Sequence, residues 1–96
     1  MGATIFPPLP PRERGHYGHA RLKDIAYDAV TKLWRRRKAA GMTEADLATT
    51  IGRNVRWVRH ALSCPDGWTL RTFGELVEAL DGEAFIRVTP LPLPSP

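Results

Sequence analysis

Apolar residues recur at steps of three and four through residues 21–82, and turn-forming residues divide them into four runs. Spacing of this kind places each run along one side of an α-helix. The pattern therefore predicts an all-α fold in which four or five helices pack as a bundle around a shared core. The expected helices start near Arg21, Thr43, Asn54 and Thr69 and end near Gly41, Gly52, Ser63 and Asp81-Gly82.

Short polar residues mark the beginnings of the later helices. The side chain of such an N-cap residue accepts a hydrogen bond from a backbone N–H of the first turn. Thr43 fits this role, and Asp46 can return the bond in a shortened capping box. Glycines mark the helix ends, because glycine freely adopts the left-handed backbone needed there. The residues expected to face the core are Leu22, Ile25, Ala26, Ala29, Val30, Leu33, Trp34, Leu47, Ala48, Ile51, Trp57, Val58, Ala61, Leu62, Leu70, Phe73, Leu76, Val77 and Leu80.

Prolines are concentrated at both ends of the chain. Because proline lacks a backbone donor and interrupts regular structure, the sequence predicts a Pro-rich flexible arm over residues 1–20 and a disordered Pro-rich tail. The domain itself is expected over residues 21–82. Residues 83–96 hold a possible short strand, Ala84–Thr89, before the tail. That segment pairs with Ala3–Phe6, pairs with its copy in a second subunit, or is not a strand.

The chain has 96 residues, enough for one domain with a modest core and little room for a catalytic cleft. Its formal net charge of +4 favours anionic partners such as nucleic acid. Cys64 is the single cysteine, so we expect no internal disulfide, no metal site, no cofactor and a reducing cytoplasmic location. No apolar run is long enough to span a membrane, and no secretory signal is recognisable. No catalytic constellation is present, so we do not expect an enzyme.

Residues 44–63 carry the strongest indication of function. Two short predicted helices are joined by a tight turn, with Ala48 in the first, Gly52 four residues later and Val58 six residues after that. This spacing is typical of a helix-turn-helix, in which a small residue permits close approach and glycine supplies a positive φ angle. The second helix, over residues 54–63, has an apolar and a polar side. The apolar side is Trp57, Val58, Ala61 and Leu62, and the polar side is Arg56, Arg59, His60 and Ser63.

The polar side of this second helix suits the major groove of double-stranded DNA. Arginine can donate two hydrogen bonds to guanine, worth roughly 1–3 kcal/mol of discrimination. Residues 21–62 contain ten basic and four acidic residues, a net charge of +6, whereas residues 63–96 contain two basic and five acidic residues, a net charge of −3. The expected base contacts are Asn54, Val55, Arg56, Arg59 and His60. The expected phosphate contacts are Arg35, Arg36, Arg37, Lys38, Thr43, Arg53 and Ser63.

A wider set of residues from the first predicted helix to the last carries a family resemblance. Its stretches are Leu33–Thr43, Ala45–Ala48, Ile51–Asn54, Trp57-Val58, Ala61–Ser63 and Trp68–Phe73, with Leu76, Ala79 and Leu80. Together they make Lys32–Val88 resemble the lambda-repressor-like, Xre-type helix-turn-helix family. The resemblance implies a helical bundle that binds operator DNA, usually as a dimer, and acts as a transcriptional repressor or antitoxin-like autoregulator. The base contacts it implies are Asn54, Val55, Arg56 and His60.

Two residues depart from the family pattern. Glu44 stands where the family often has glutamine near a phosphate, and a carboxylate there would repel DNA while favouring the helix dipole. Arg53 replaces an apolar turn residue and adds a cation. Glu44, the acidic residues 63–96 and the proline-rich ends leave a second function open, in which the module binds a protein such as a toxin or another regulator.

A homodimer through Phe73–Leu80 or Ala84–Thr89 is also expected, because one recognition helix reads few base pairs.

Overall fold

The computed structural model of the chain describes residues 10–90. It contains four α-helices: α1 is Pro11–Ala39, α2 is Glu44–Ile51, α3 is Val55–Ser63 and α4 is Leu70–Ala79. The expected all-α fold is confirmed over this range. None of these helices combines the length and the apolar character needed to cross a membrane. The predictions for residues 1–9 and 91–96 lie outside the described residues.

Helix α1 begins ten residues before its predicted start, at Pro11. The expectation of a flexible arm is therefore wrong for residues 11–20. Proline is tolerated in the first helical turn, because its missing N–H has no partner there and its fixed φ suits the helix. The Pro10 carbonyl then accepts the Arg14 N–H at 2.9 Å. The last proline of the arm thus marks the beginning of a helix and not the end of a loop.

The predicted signals at the other helix ends are present. The Thr43 hydroxyl accepts the Asp46 N–H at 3.1 Å, and the Asp46 carboxylate accepts the Thr43 N–H at 2.9 Å, so the capping box is confirmed. Side-chain oxygens of Asn54 and Thr69 cap α3 and α4. Gly41 follows α1 with φ +106°, a left-handed conformation that favours glycine.

The core lies where α2, α3 and α4 meet the C-terminal half of α1. Leu47 of α2, Val58 of α3 and Leu76 of α4 are fully buried. Burial of each contributes roughly 1.5–3 kcal/mol, and helices of eight to ten residues need such contacts because they are marginal in isolation. The other buried residues of the core are Val30, Ala48, Ala61, Ala79 and Leu80.

Several apolar residues expected in the core are exposed instead. Leu22 and Ile25 of α1 are 62% and 57% exposed, Leu70 of α4 is 75% exposed, and Ala29 is also exposed. Helix α1 has 29 residues and is therefore about 44 Å long, far longer than the helices that pack against it. Residues 11–22 are exposed throughout. The apolar stripe of α1 thus continues past the part that the rest of the chain covers.

The segment after α4 does not form the possible strand. Ala84–Thr89 is exposed and has no regular secondary structure. A strand needs a hydrogen-bonded neighbour, and residues 10–90 contain no other strand to supply one. The alternative partner Ala3–Phe6 lies outside the described part of the chain. Phe85 and Ile86 lie instead along a groove that α1 and α4 form.

Candidate nucleic-acid interface

Helix α3 has one side in the core and the opposite side exposed. Val58 and Ala61 are 0% and 5% exposed, whereas Arg56, Arg59 and His60 are all exposed. Residues three and four apart are neighbours on a helix surface, so these three side chains form a continuous polar side. The predicted division of this helix into two sides is therefore present, with Trp57 and Leu62 half-buried at its edges.

A tight turn fixes the position of α3 relative to α2, and only three residues separate the two helices. Gly52 has φ +81°, and the Arg53 N–H donates to the Ala48 carbonyl at 3.0 Å, which closes the end of α2. A residue with a side chain would be strained at this φ. Asn54 then begins α3 by accepting the Trp57 N–H at 2.7 Å. The glycine and the cap together set the direction in which α3 leaves α2.

Two predicted base contacts lie at the start of α3. Asn54 is exposed, and because its Oδ1 caps the helix, its side-chain NH₂ is the group that can donate to a ligand. Val55 is half-buried and packs against the core, so it presents only part of its side chain. The exposed surface of α3 is thus dominated by Arg56, Arg59 and His60.

Side chains from distant parts of the chain hold the C-terminal end of α3. Trp68 donates its indole N–H to the Ala61 carbonyl at 3.1 Å, and the Tyr27 hydroxyl donates to the Leu62 carbonyl at 2.7 Å. The two rings meet edge to face, with centroids 5.7 Å apart. These bonds satisfy carbonyls that the last helical turn leaves without a partner. Sequence analysis identified neither bond, because the bonded residues lie seven and 35 positions apart and belong to different elements of the fold.

Glu44, which departs from the family pattern, lies against the polar side of α3. Its Oε1 accepts a hydrogen bond from the Arg59 Nε at 3.0 Å, and the two side chains are 38% and 67% exposed. The contact compensates one cation of the exposed side and holds Arg59 toward α2. An exposed ion pair of this kind contributes about 1 kcal/mol or less. A phosphate or a base edge can therefore replace Glu44 at small cost.

Arg53 extends the basic surface beyond the start of α3. Its guanidinium lies over the Trp57 ring, 4.6 Å from the centroid. It also forms an ion pair with Glu75 of α4 at 3.7 Å, and Arg71 reaches the same carboxylate at 3.1 Å. The added cation noted in the sequence is thus positioned by the turn and by α4.

The four cations at the end of α1 are not equivalent. Arg35, Arg36 and Lys38 are exposed, as a phosphate contact requires. Arg37 is half-buried, and its Nε and Nη2 donate at 2.7 and 3.1 Å to the carbonyls of Leu80 and Asp81. Arg37 therefore holds the end of α4 against α1, and these bonds use two of its five N–H donors.

The two predicted hydroxyl contacts also have partners within the fold. The Thr43 hydroxyl belongs to the capping box of α2, and the Ser63 hydroxyl donates to the His60 carbonyl at 2.9 Å. Both residues are exposed. The Thr43 N–H bond holds the pKa of the Asp46 carboxyl below its ordinary value, because the bond favours the charged form of the carboxyl.

No protein-family model, curated protein or solved structure matches the chain. The family resemblance therefore stays a prediction, and function has to be argued from the site itself. The described residues present a short, well-anchored helix with a cationic, hydrogen-bonding side, beside a basic helix end and a basic turn. Such a surface can donate hydrogen bonds to an extended anionic partner and attract it by its positive charge.

Proposed function

We propose that this chain is a sequence-specific DNA-binding transcriptional regulator, a repressor or antitoxin-like autoregulator of the lambda-repressor-like, Xre-type family. In this proposal α2, the turn at Gly52 and α3 form a helix-turn-helix, and α3 is the recognition helix. The observation that carries the proposal is the exposed side of Arg56, Arg59 and His60 directly opposite buried Val58.

The dimensions of α3 suit the major groove of double-stranded DNA. An α-helix with its side chains is about 10–12 Å across, and the major groove is about 12 Å wide, so it admits one helix such as α3. Arg56 lies in the first turn, where recognition helices contact base edges. Arg59 and His60 lie one turn further along, and Arg53 lies beside the helix start. This arrangement supports base recognition by Arg56 and His60, with Arg59 joining once Glu44 is displaced.

Exposed cations outside α3 would fix the position of the protein on the duplex. Arg35, Arg36 and Lys38 at the end of α1 can contact phosphates, which orient a protein without reading sequence. Arg37 has a different role in this proposal, since two of its donors hold the end of α4. It acts as a positioning residue for the basic end of α1.

Selection from random duplex DNA, followed by binding measurements on the selected sequence, tests the proposal. Arg56→Ala should weaken binding roughly 5- to 150-fold, the equivalent of about 1–3 kcal/mol, and should relax preference at one base position. Arg71→Ala is the matched control, because it removes the same charge from an α4 side chain that is 84% exposed. The proposal is wrong if no sequence is selected, or if Arg56→Ala binds the selected sequence like the control.

A salt titration separates phosphate contacts from base contacts. The affinity falls as salt is added, and each lost phosphate contact makes the slope of log K against log salt concentration less negative by about 0.9. Arg36→Ala should therefore reduce the slope by about one and weaken binding to selected and unselected duplexes alike. If Arg36→Ala changed sequence preference instead, the assignment of this helix end to phosphates would be wrong.

Glu44→Gln tests the ion pair that occupies Arg59. The variant keeps the size of the side chain, removes its negative charge and releases Arg59, so binding should tighten about two- to tenfold at low salt. Glu78→Gln makes the same charge change on exposed α4 and should tighten binding much less. Equal effects of the two variants would show that net charge alone decides the affinity.

Glu44 also favours a second candidate function, in which the helix-turn-helix module binds another protein. Its carboxylate at 3.0 Å from Arg59 reduces the positive charge of the surface that DNA would meet. A protein complex whose stability is unaffected by Arg56→Ala and by competing duplex DNA would support this alternative. A complex that DNA displaces would support the regulator instead, since both ligands would then share the polar side of α3.

A further inference from the structure

An apolar groove runs along the side of α1 that the core leaves uncovered, and it encloses about 710 Å³. Its floor is the apolar stripe of α1 from Leu22 to Leu33, which is about 16 Å long. The start of α4 forms one wall, and residues 83–87 form the other. Leu22, Ile25 and Leu70, which were expected in the core and are exposed, therefore line a single groove.

The size of the groove suits a small molecule. Ligand pockets in proteins commonly measure about 300–1,000 Å³ and are lined mainly by apolar and aromatic side chains. The apolar surface inside this groove is several times smaller than the roughly 800 Å² that one partner contributes to a standard protein interface. The groove therefore favours a long, narrow apolar molecule over a folded protein.

Basic residues lie at one end of the groove. His19 and Lys23 line the end nearest the start of α1, and Arg87 also lines the groove. The Lys23 Nζ lies 2.7 Å from the Asp66 Oδ1, so its charge is partly balanced. Arg87 and His19 are exposed, and His19 adds a second cation when it is protonated. A carboxylate at this end would be attracted by these groups.

The acidic lining residue lies at the opposite end. Gly82 lies against the Leu33 side chain, so Glu83, the next residue, is close to the Leu33 end of the stripe. The distance along α1 from Lys23 to Leu33 is about 15 Å. A carboxylate at the basic end is therefore well separated from Glu83, and its apolar chain would follow the stripe toward Leu33.

Trp68 connects the groove to α3. Its side chain lines the groove, and its indole N–H donates to the Ala61 carbonyl at 3.1 Å. Its ring also meets the Tyr27 ring edge to face, and the Tyr27 hydroxyl donates to the Leu62 carbonyl at 2.7 Å. A molecule that packs against Trp68 would thus stabilise both of the bonds that hold the end of α3.

We propose that the groove is an effector site for a long-chain aliphatic carboxylate, and that the bound ligand holds α3 in its DNA-binding position through Trp68. The effect on DNA binding rests on the proposed function, whereas the binding of the ligand does not. The ligand fits the conformation in which the Trp68 and Tyr27 bonds are formed, so it shifts the population toward that conformation. DNA that contacts the exposed side of α3 requires the same conformation. Each ligand should therefore increase the affinity for the other.

Isothermal titration calorimetry of the full chain with dodecanoate, without DNA, tests the site. Dodecanoate should bind, and decanoate, which is two methylenes shorter, should bind about four- to 15-fold more weakly because each buried methylene contributes up to about fourfold. Dodecanol, the neutral analogue, should bind roughly two- to fivefold more weakly than dodecanoate. No binding of dodecanoate, whether because an end of this chain or a second copy fills the groove, would overturn the proposal. Equal affinities for dodecanoate and dodecanol would overturn the assignment of a carboxylate.

Substitutions in the groove test its location. Ala29→Phe fills the groove with a ring, and Thr49→Phe adds the same ring on exposed α2, away from the groove. Ala29→Phe should weaken dodecanoate binding about tenfold or more, and Thr49→Phe should bind it like the parent. Ile25→Glu, at a position that is 57% exposed, is a second groove variant in case circular dichroism shows that Ala29→Phe does not fold. Unchanged binding by a folded groove variant would contradict the proposal.

Hydrogen exchange tests the connection to α3 without DNA. Dodecanoate should slow the exchange of amides in the last turn of α3, residues 60–63, about fivefold or more. Tyr27→Phe leaves the lining of the groove unchanged but removes the bond to Leu62, so dodecanoate should protect this turn less in the variant. Binding of dodecanoate without slower exchange in α3 would disprove the effector role.

The effect on DNA is measured last, with the selected duplex. Saturating dodecanoate should tighten binding by the parent about fivefold or more, and it should not do so for the folded groove variant. Unchanged affinity of the parent for DNA would overturn the effector role. If the chain binds no duplex at all, the regulator proposal fails, whereas the calorimetry and exchange results still decide whether the groove binds the carboxylate and holds α3.

Discussion

Gly52→Ala is the substitution whose magnitude follows most directly from the structure. Gly52 closes α2 with φ +81°, and a Cβ at this position would meet no atom within 4 Å. The change therefore acts on backbone energy alone, without a steric clash or a lost contact. A left-handed backbone costs a residue with a side chain roughly 1–2 kcal/mol. We expect the free energy of unfolding to fall by about that amount.

Gly74→Ala is the matched control for this prediction. Gly74 lies inside α4 with an ordinary helical backbone, and a Cβ there would also meet no atom within 4 Å. Alanine is preferred over glycine in a helix interior by about 0.5–1 kcal/mol, so this variant should be more stable than the parent. The two substitutions change the unfolded chain in the same way. The difference between the free energies of unfolding of the two variants, about 2 kcal/mol, therefore reports the backbone conformation at the two positions.

Thermal unfolding followed by circular dichroism at 222 nm measures both effects. For a chain of this size 1 kcal/mol corresponds to roughly 4–8 °C in Tm. Gly52→Ala should lower the Tm by about 5–10 °C and Gly74→Ala should raise it by a few degrees. All samples need the same protein concentration, because self-association would raise the apparent Tm. Equal Tm values for the two variants would refute the left-handed turn between α2 and α3.

Three further substitutions test other contacts. The Thr43 N–H lowers the pKa of the Asp46 carboxyl, and Asp46→Asn removes that carboxyl. A carboxyl whose pKa is lowered by folding stabilises the fold at pH values above its ordinary pKa of 3.8, and this contribution is lost as the pH falls below that value. The Tm difference between parent and variant should therefore shrink steadily below pH 3.8. Tyr27→Phe leaves a carbonyl at the end of α3 without its donor and should cost about 0.5–1.5 kcal/mol in urea unfolding, whereas Tyr17→Phe at an exposed position should cost almost nothing. Arg37→Lys keeps the charge but cannot reach two carbonyls in the same geometry, so it should cost about 1 kcal/mol, and the loss should persist at high salt because the carbonyls are neutral.

Local signals in the sequence predicted most helix boundaries. The caps at Thr43, Asn54 and Thr69 act within three residues, and Gly52 acts through its own backbone, so the sequence contains both partners of each interaction. The start of α1 was missed because a proline cluster is compatible with a loop and with a first helical turn, and Pro11 takes the second option. The local pattern could not distinguish the two.

The candidate site likewise combines features that the local sequence predicts with contacts that only the packing of the helices creates. The exposed and buried sides of α3 follow from helical spacing, so Arg56 and Val58 could be assigned from sequence. The Glu44–Arg59 pair spans 15 residues, and the bonds from Tyr27 and Arg37 span 35 and 43 residues. Those contacts exist only because packed helices bring the residues together.

Burial along α1 and after α4 was decided by the tertiary structure alone. Periodicity indicated that Leu22, Ile25 and Leu70 share apolar sides of helices, but it could not indicate how much of each side three short helices would cover. The possible strand at Ala84–Thr89 depended in the same way on a neighbour that the described residues lack. Residues close in sequence interact within one helix or turn, whereas coverage of a surface depends on the lengths and directions of all the elements that pack against it.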